Sequence, residues 1–332
     1  MFSNMGKSVG VLFSRAVGKF LLAVAGEARY MAAAEGFPMP LYAVAAAILV
    51  ALCWGGNFSA SKIAMVDFPP FMTVGLRFAM LSVLLAPFAL MKKPYPKFRD
   101  MLFIAMTLIV LHFAMIFLAM NMGLTITSVI VATQLGVPFS CFVSAMLFND
   151  HLGPWRSFGM LVAFMGVLIV ALTPNASEHW IAFMLATFGA FSWASANIYL
   201  KRMAPTPIIS LLFWPGLISL PILAAMSLLF ESNHVEVLKA AHWSSWGGIG
   251  YSMVFSSLVG YGLWNWLITK YPLSQVVPYS LCVPIAGIAG GVMIFHEPLT
   301  MQIILGASLT VVGVGIIALR RPKLAELGKS VT

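Results

Sequence analysis

Ten stretches of mostly apolar residues, each about as long as one membrane-spanning helix, are separated in this sequence by charged residues, proline or glycine. A helix needs roughly 20 apolar residues to cross the hydrocarbon core of a bilayer. The composition agrees, because 61% of the residues are hydrophobic and 9% are charged, whereas about a quarter of a soluble domain is charged. We therefore predict an all-α integral membrane protein with ten transmembrane helices, at residues 41–61, 70–91, 100–121, 124–148, 155–173, 179–200, 207–230, 245–269, 273–295 and 299–319.

The second half of the sequence repeats the first. Residues 128–138 align with residues 274–284, both segments end in Val-Pro, and a pair of glycines seven residues apart follows each. Such self-similarity indicates a duplicated unit. Five helices per copy is an odd number, so the second copy is inverted, an arrangement typical of transporters with a substrate site between the halves. We predict a cytoplasmic amphipathic or disordered extension at 1–40, a first repeat at 41–173 (helices 1–5), a second repeat at 179–320 (helices 6–10) and a cytoplasmic tail at 321–332.

The basic residues predict the orientation. With the N-terminus in the cytoplasm, the cytoplasmic segments hold 16 Lys and Arg residues, the opposite segments hold only Lys62 and Lys239, and Arg77 lies within a helix. This positive-inside bias predicts that both termini are cytoplasmic. We expect the membrane to be the inner membrane of a bacterium. The formal net charge of +9 is explained by this topology and by anionic lipid, so we expect no nucleic-acid partner.

Polar and aromatic residues inside the apolar runs are the candidate substrate-binding residues. An asparagine follows a tryptophan in the first helix and again in the sixth, and the eighth helix contains Gly260-Tyr-Gly-Leu-Trp-Asn-Trp. Two alternatives remain open, namely asparagines that join helices by hydrogen bonds and aromatic residues that form an interfacial belt. The cavity predicted near mid-membrane is lined by Asn57, Gln134, Trp193, Asn197, Tyr261, Trp264, Asn265 and Tyr279.

Two titratable residues within predicted spans have competing roles. Arg77 either binds a carboxylate or phosphate of the substrate through its planar guanidinium or serves as a structural tie near the membrane surface. The repeat favours the tie, because Trp214 is opposite Arg77 when Pro70 is aligned with Pro207. His112 either takes up a proton during transport or is a neutral, hydrogen-bonded histidine.

Prolines and glycines recur in matching helices of the two halves. Pro138 and Pro284 predict kinks in helices 4 and 9, because proline removes a backbone donor and frees a carbonyl. Helices 5 and 10 each carry two glycines on one face, which predicts a tight packing seam.

Signs of catalysis are absent from the sequence. It holds no His-Glu-x-x-His or Gly-x-Ser-x-Gly motif and no nucleotide-binding loop. The spacings of Cys53, Cys141 and Cys282 suggest neither a disulfide framework nor a metal site. We therefore expect no enzyme activity, no cofactor and no bound metal, and an intramembrane enzyme is a distant alternative.

Several short motifs, in this order and spacing, resemble the EamA family of the drug/metabolite transporter superfamily. They are Trp54-Gly-Gly-Asn57-Phe, Gly75-Leu-Arg77-Phe, Trp193-Ala-Ser-Ala-Asn197, Gly260-Tyr-Gly-Leu-Trp264 and Pro278-Tyr-Ser-Leu-Cys-Val-Pro284. The resemblance covers about residues 41–319 and is greatest to the O-acetylserine/cysteine exporter branch. It implies ten helices in two inverted repeats, a central cavity and export of small metabolites by alternating access. The long N-terminal extension and His296-Glu297, in place of the more typical acidic pair, depart from the family pattern.

The expected partners are therefore a small-molecule substrate and the lipid bilayer. The first hypothesis is a secondary exporter of amino acids or derivatives such as cysteine and O-acetylserine. The alternative is an exporter of purines or of hydrophobic amines, whose cations bind aromatic faces. The sequence leaves the coupling ion and the oligomeric state open.

Overall fold

The computed structural model describes residues 39–91, 93–148, 153–203, 206–271 and 273–319, which form helices and no strand. Most of the predicted extension and the whole predicted tail lie outside these residues. The ten long helices are α1 (Leu41–Ala64), α2 (Pro70–Leu90), α3 (Phe98–Asn121), α4 (Ile126–Thr133 and Gly136–Phe148), α5 (Pro154–Ala171), α6 (Trp180–Arg202), α7 (Ile208–Phe230), α8 (Trp243–Tyr251, Ser252–Gly260 and Tyr261–Lys270), α9 (Leu273–Val276, Val277–Leu281 and Cys282–Phe295) and α10 (Met301–Leu319). Short helices at Pro174–Glu178 and His234–Ala240 join α5 to α6 and α7 to α8.

Nine helices in the described part of the chain are long and apolar enough to cross a membrane, namely all but α8. The α8 residues form one continuous helical stretch, but glycine, serine, tyrosine and tryptophan make it less apolar than the others. The predicted all-helical membrane fold is confirmed. Helix α8 differs from its neighbours because it contributes polar groups to the interior of the bundle.

The most extensive helix pairs each contain one helix from the first half of the chain and one from the second. The most extensive contacts are between α5 and α10, between α2 and α7, and between α1 and α9. The contact of α1 with α9 corresponds to that of α6 with α4, and the contact of α1 with α8 corresponds to that of α6 with α3. Replacing each helix by its counterpart in the other half, five helices away, therefore reproduces the same packing.

The paired helices α5 and α10 pack closely at the glycine seam. A Cβ added at Gly159 would lie 2.8 Å from the carbonyl oxygen of Gly313, and one added at Gly306 would lie 2.7 Å from that of Gly166. Only a hydrogen in place of a side chain lets the α5 and α10 backbones approach this closely. The predicted packing seam is confirmed.

Helices α3 and α8 contain π-helical segments at matching places, Ala105–Ala114 and Ser252–Gly260. Each segment accepts a hydrogen bond from the helix that packs on it. Ser192 Oγ of α6 donates to the Thr107 carbonyl at 2.8 Å, and Trp54 Nε1 of α1 donates to the Ser256 carbonyl at 3.2 Å. Wider π turns expose carbonyls to such donors and are frequent at functional sites.

Helices α4 and α9 are both irregular one turn before their shared proline. Helix α4 is interrupted at residues 134–135, ahead of Pro138, and α9 has a 3₁₀ segment, Val277–Leu281, ahead of Pro284. Proline cannot donate to the carbonyl four residues earlier, so the preceding turn rearranges. The polar residues Gln134 and Tyr279 lie in these irregular turns.

The apolar core lies among α2, α3, α4 and α6. Leu81, Phe117 and Ile130 are almost completely buried there. Large apolar side chains also cover the outside of the bundle, where Val83 is 77% exposed and Leu161 is 60% exposed. So much exposed apolar surface is unfavourable in water and fits a lipid environment.

Candidate functional site

At one end of the bundle, three carboxylates each bind the N-terminus of another helix. Glu231, which follows α7, accepts hydrogen bonds from the backbone N–H groups of Phe71 at 2.6 Å and Met72 at 3.0 Å, in the first turn of α2. Ser227 Oγ also donates to this carboxylate at 2.5 Å. Unsatisfied N–H groups and the helix dipole make a helix N-terminus a good partner for an anion.

The second carboxylate, Glu297 after α9, binds the N-terminus of α4. Its oxygens accept the N–H groups of Ile126 at 2.7 Å and Thr127 at 3.0 Å, together with the Thr127 hydroxyl at 2.8 Å. Lys62 of α1 lies 3.2 Å from Glu297 Oε1. The left-handed backbone of His296, with φ of 53°, turns the chain back over α9 and so directs Glu297 towards α4. Glu297 therefore joins α9, α4 and α1.

The third carboxylate, Asp67 after α1, binds the start of α8. It accepts hydrogen bonds from Ser245 Oγ and from the His242 backbone N–H, both at 2.7 Å, and His242 Nδ1 lies 3.0 Å from its Oδ1. The hydrogen bond from Ser245, followed by those from His242, lowers the pKa of Asp67 below its ordinary value. All three carboxylates lie at the end where α1, α7 and α9 finish.

Aromatic residues of α1 and α8 form a cluster deeper in the bundle. The Trp54 ring centroid lies 5.2 Å from that of Tyr261 and 5.3 Å from that of Trp264. Gly260 leaves room for the indole, because a Cβ there would lie 2.6 Å from Trp54 Nε1. Trp54 thus contacts two predicted substrate-binding residues, Tyr261 and Trp264. We call Trp54, Tyr261 and Trp264 the aromatic cluster.

Predicted residues of α4 and α6 meet in the other half. The Trp193 ring packs on Gly136, where a Cβ would lie 2.8 Å from Trp193 Cε3. Gln134 lies two residues earlier in the interrupted turn of α4 and is half-buried. Asn197 Nδ2 donates to the Trp193 carbonyl at 2.8 Å within α6. Trp193 corresponds to Trp54 in the repeat, so each half places a tryptophan beside an irregular helix.

The remaining predicted residues lie at different depths. Asn57 is 6% exposed, and its Oδ1 accepts no hydrogen bond from the described residues. Asn265 is half-buried in α8. Tyr279 lines an open groove of about 390 Å³ together with Met39, Gln275 and Pro278, near the start of α1 and therefore at the end opposite the three carboxylates.

A family model described as the EamA-like transporter family matches residues 41–172 and again residues 180–319. The two matches cover well over half of the chain. The chain belongs to the EamA-like transporter family.

Relatives of this EamA-like transporter include a probable amino-acid metabolite efflux pump of Escherichia coli strain K12, which is 30% identical over 85% of this chain and 97% of the relative. A protein of the same description from Salmonella typhimurium strain LT2 is also 30% identical, over 81% of this chain and 92% of the relative. The inner membrane transporter YedA of E. coli K12, described as uncharacterized, is 24% identical over 79% of this chain. A solved structure with 18% identity superposes with a TM-score of 0.56 over 84% of this chain and 96% of the other, which supports the same fold.

Arg77 and His112, the residues with competing predicted roles, have different surroundings in this EamA-like transporter. His112 Nδ1 lies 2.9 Å from the Gly189 carbonyl, so its ring has a local hydrogen-bond partner. Arg77 is 1% exposed and donates to the hydroxyls of Ser256 and Ser257 in the π segment of α8. The guanidinium therefore ties α2 to α8, with serine hydroxyls as its acceptors.

Sequence reasoning missed the residues that hold these elements together in the EamA-like transporter. Ser256 and Ser257 are ordinary small residues in an apolar run, and Trp54 was noticed only as part of a motif. No sequence motif predicts a role for the carboxylates of Asp67, Glu231 and Glu297. A signal was nevertheless present, since Glu297 and Asp150 occupy corresponding places in the two repeats.

Proposed function

We propose that this EamA-like transporter is a secondary exporter of small amino-acid-type metabolites such as cysteine and O-acetylserine, in a bacterial inner membrane. The observation that carries the proposal is the similarity to relatives named as amino-acid metabolite efflux pumps over nearly their whole length. The YedA relative, named as an inner membrane transporter, supports the location.

Alternating access is the mechanism that the packing supports best. The main helix pairs join the two halves of the chain. In this mechanism the two halves rock against one another about a shared site. Carboxylate bonds hold one end closed, and a groove lined by Tyr279 opens at the other. With the N-terminus in the cytoplasm, the closed end is periplasmic and the groove faces the cytoplasm.

The substrate site in this proposal lies between the aromatic cluster and the α4–α6 residues. Aromatic faces pack on the apolar part of a small zwitterion and attract its ammonium group. The amides of Asn57, Gln134, Asn197 and Asn265 supply donors and acceptors. The Oδ1 of Asn57 is notable, because it is buried without a hydrogen-bond partner among the described residues, whereas a buried amide oxygen generally has one.

The proposal is tested by efflux from proteoliposomes loaded with labelled cysteine, O-acetylserine or neutral amino acids. We expect saturable efflux of at least one of them. Trp264→Ala should reduce it about tenfold, because loss of one aromatic contact is worth about 1.4 kcal/mol. The matched control is Trp243→Ala, since Trp243 is 90% exposed at the start of α8, and this variant should retain efflux.

Two outcomes decide between solute classes. Efflux of purines or hydrophobic amines, and of no amino acid by the folded protein, would contradict the proposed substrate and support the alternative. Equal effects of Trp264→Ala and Trp243→Ala would remove the aromatic cluster from the site. An imposed pH gradient tests coupling in the same vesicles, and loss of gradient dependence in His112→Gln would identify His112 as the proton-coupling residue.

A further inference from the structure

Arg77 is a buried cation whose hydrogen-bond partners among the described residues are all neutral. Its Nε donates to Ser257 Oγ at 3.1 Å, and its Nη2 donates to Ser257 Oγ at 2.9 Å and to Ser256 Oγ at 3.2 Å. Its Nη1 is buried and has no hydrogen-bond partner among the described residues. A guanidinium carries five N–H donors, so the two serines leave it incompletely satisfied.

The described part of the chain provides no carboxylate for this charge. The ion pairs there join Lys62 to Glu297 and His242 to Asp67, and neither includes Arg77. Glu231 is bound to the backbone of Phe71 and Met72, which precede Arg77 by six and five residues on the same helix. A charge within a membrane protein is costly unless it is paired or faces a wet cavity, and such residues mark substrate or ion pathways.

The surroundings of Arg77 connect it to the aromatic cluster. Its guanidinium carbon lies 4.5 Å from the Phe113 ring centroid and 5.3 Å from that of Phe78, contacts that attract a cation without neutralising it. Ser256 bonds to Arg77 through its hydroxyl and to Trp54 through its carbonyl. Ser256 of the α8 π segment thus contacts both Arg77 and Trp54 of the aromatic cluster.

We propose that Arg77 binds the carboxylate of the transported solute through its free Nη1 and restricts the substrates to carboxylate-bearing metabolites. The inference rests on the proposed function and names the substrate class of that same site. A carboxylate matches the planar donor array of a guanidinium and supplies the missing negative charge. Arg77 is covered in this structure, so the solute reaches it when the α8 segment rearranges between the two access states.

The test compares two solutes that differ in the carboxylate, cysteine and cysteamine, in the same proteoliposomes. Wild type should transport cysteine at least tenfold better than cysteamine. Arg77→Gln should lower this ratio about tenfold or more, since a hydrogen bond to a charged group is worth that factor in binding. A purely structural role for Arg77 would lower both rates together and leave the ratio unchanged, which would overturn the inference.

Two further variants keep the test decisive if Arg77→Gln does not fold. Arg77→Lys keeps the charge but loses the planar donor array, so the ratio should still fall, and an unchanged ratio would contradict carboxylate binding by the guanidinium. Trp243→Ala, at a residue that is 90% exposed at the start of α8, changes none of the contacts described for Arg77, so the ratio should be retained. A similar fall of the ratio in Trp243→Ala would show that the preference does not depend on Arg77.

A binding measurement on the purified full chain separates this inference from the proposed function. Acetate should raise the melting temperature of wild type more than the neutral isostere acetamide does, and Arg77→Lys should lose this difference. Wild type that transports cysteine but shows neither the cysteine preference nor the acetate effect would refute the Arg77 site alone. An acetate effect without transport of any amino acid would refute the proposed function and leave the carboxylate site standing.

Discussion

Replacing Glu297 by glutamine tests whether a carboxylate closes one end of the bundle. The carboxylate accepts four hydrogen bonds, from Lys62 Nζ, the Ile126 N–H, the Thr127 N–H and the Thr127 hydroxyl. Glutamine keeps one oxygen, which can still accept from Ile126 and Lys62. Its NH₂ group then faces the Thr127 N–H, and two donors cannot bond to each other.

The magnitude follows from the groups left without partners. An unsatisfied buried N–H at Thr127 costs about 1–3 kcal/mol. Loss of the ion pair costs up to about 1 kcal/mol, because the Lys62 side chain is 30% exposed. Loss of the negative charge at the α4 N-terminus costs about 0.3–1 kcal/mol. We therefore expect Glu297→Gln to lower the free energy of unfolding by about 3 kcal/mol.

Denaturant unfolding in mild detergent measures this loss. The matched control is Glu236→Gln, the same chemical change at an exposed residue of the short helix after α7, and it should stay within about 0.5 kcal/mol of wild type. A cysteine at Ser128, which is 1% exposed, should react with an impermeant maleimide faster in the Glu297→Gln background, with the native cysteines replaced. Equal stability of Glu297→Gln and Glu236→Gln, with unchanged labelling, would refute the closing role of Glu297.

Three more predictions follow from single contacts. Gly313→Ala should lower the free energy of unfolding by about 1–3 kcal/mol in the same assay, because its Cβ would lie 2.6 Å from the Gly159 carbonyl oxygen. The control Gly315→Ala, whose Cβ would lie 3.5 Å from its nearest neighbour, should be neutral or slightly stabilising. Equal losses of stability in the two variants would contradict the packing seam. Hydrogen bonds lower the pKa of Asp67 in the folded protein, so its carboxylate stabilises the fold above its ordinary pKa of about 4, and this contribution is lost as pH falls. The stability difference between wild type and Asp67→Asn should therefore shrink below about pH 4. A constant difference would contradict a stabilising role for this carboxylate. Ser192→Ala should cost about 1 kcal/mol through the lost bond to the α3 π segment, and no change would mean that water replaces the hydroxyl.

The helices themselves were predictable because their signal is local. Apolar runs of spanning length mark α1 to α7, α9 and α10, and proline fixes the starts of α2 and α5. The glycine seam was predictable for the same reason, since the spacing of its glycines places them on one helix face. Helix α8 gives the weakest local signal because the serines and glycines that lower its apolarity serve contacts with other helices.

The candidate site was only partly predictable. The residue types of Tyr261 and Trp264 make them candidates, but Trp54, whose ring contacts both, comes from a helix about 200 residues earlier. The two π segments have no periodicity that a sequence reveals, because a wider turn depends on the donor that its carbonyls meet. The Arg77 site depends on hydroxyls some 180 residues away.

The sequence by itself determined that this chain is a duplicated, all-helical membrane protein of the EamA-like transporter family. Length, apolarity and internal repetition are properties of short segments, and the bilayer leaves helices as the way to satisfy their backbones. Tertiary structure alone decided that Glu231, Glu297 and Asp67 each bind the start of a distant helix, and that Arg77 is buried among neutral hydroxyls. The physical reason is that a helix N-terminus or a buried charge attracts any suitable group, and only the packing of the helices determines which one lies within reach.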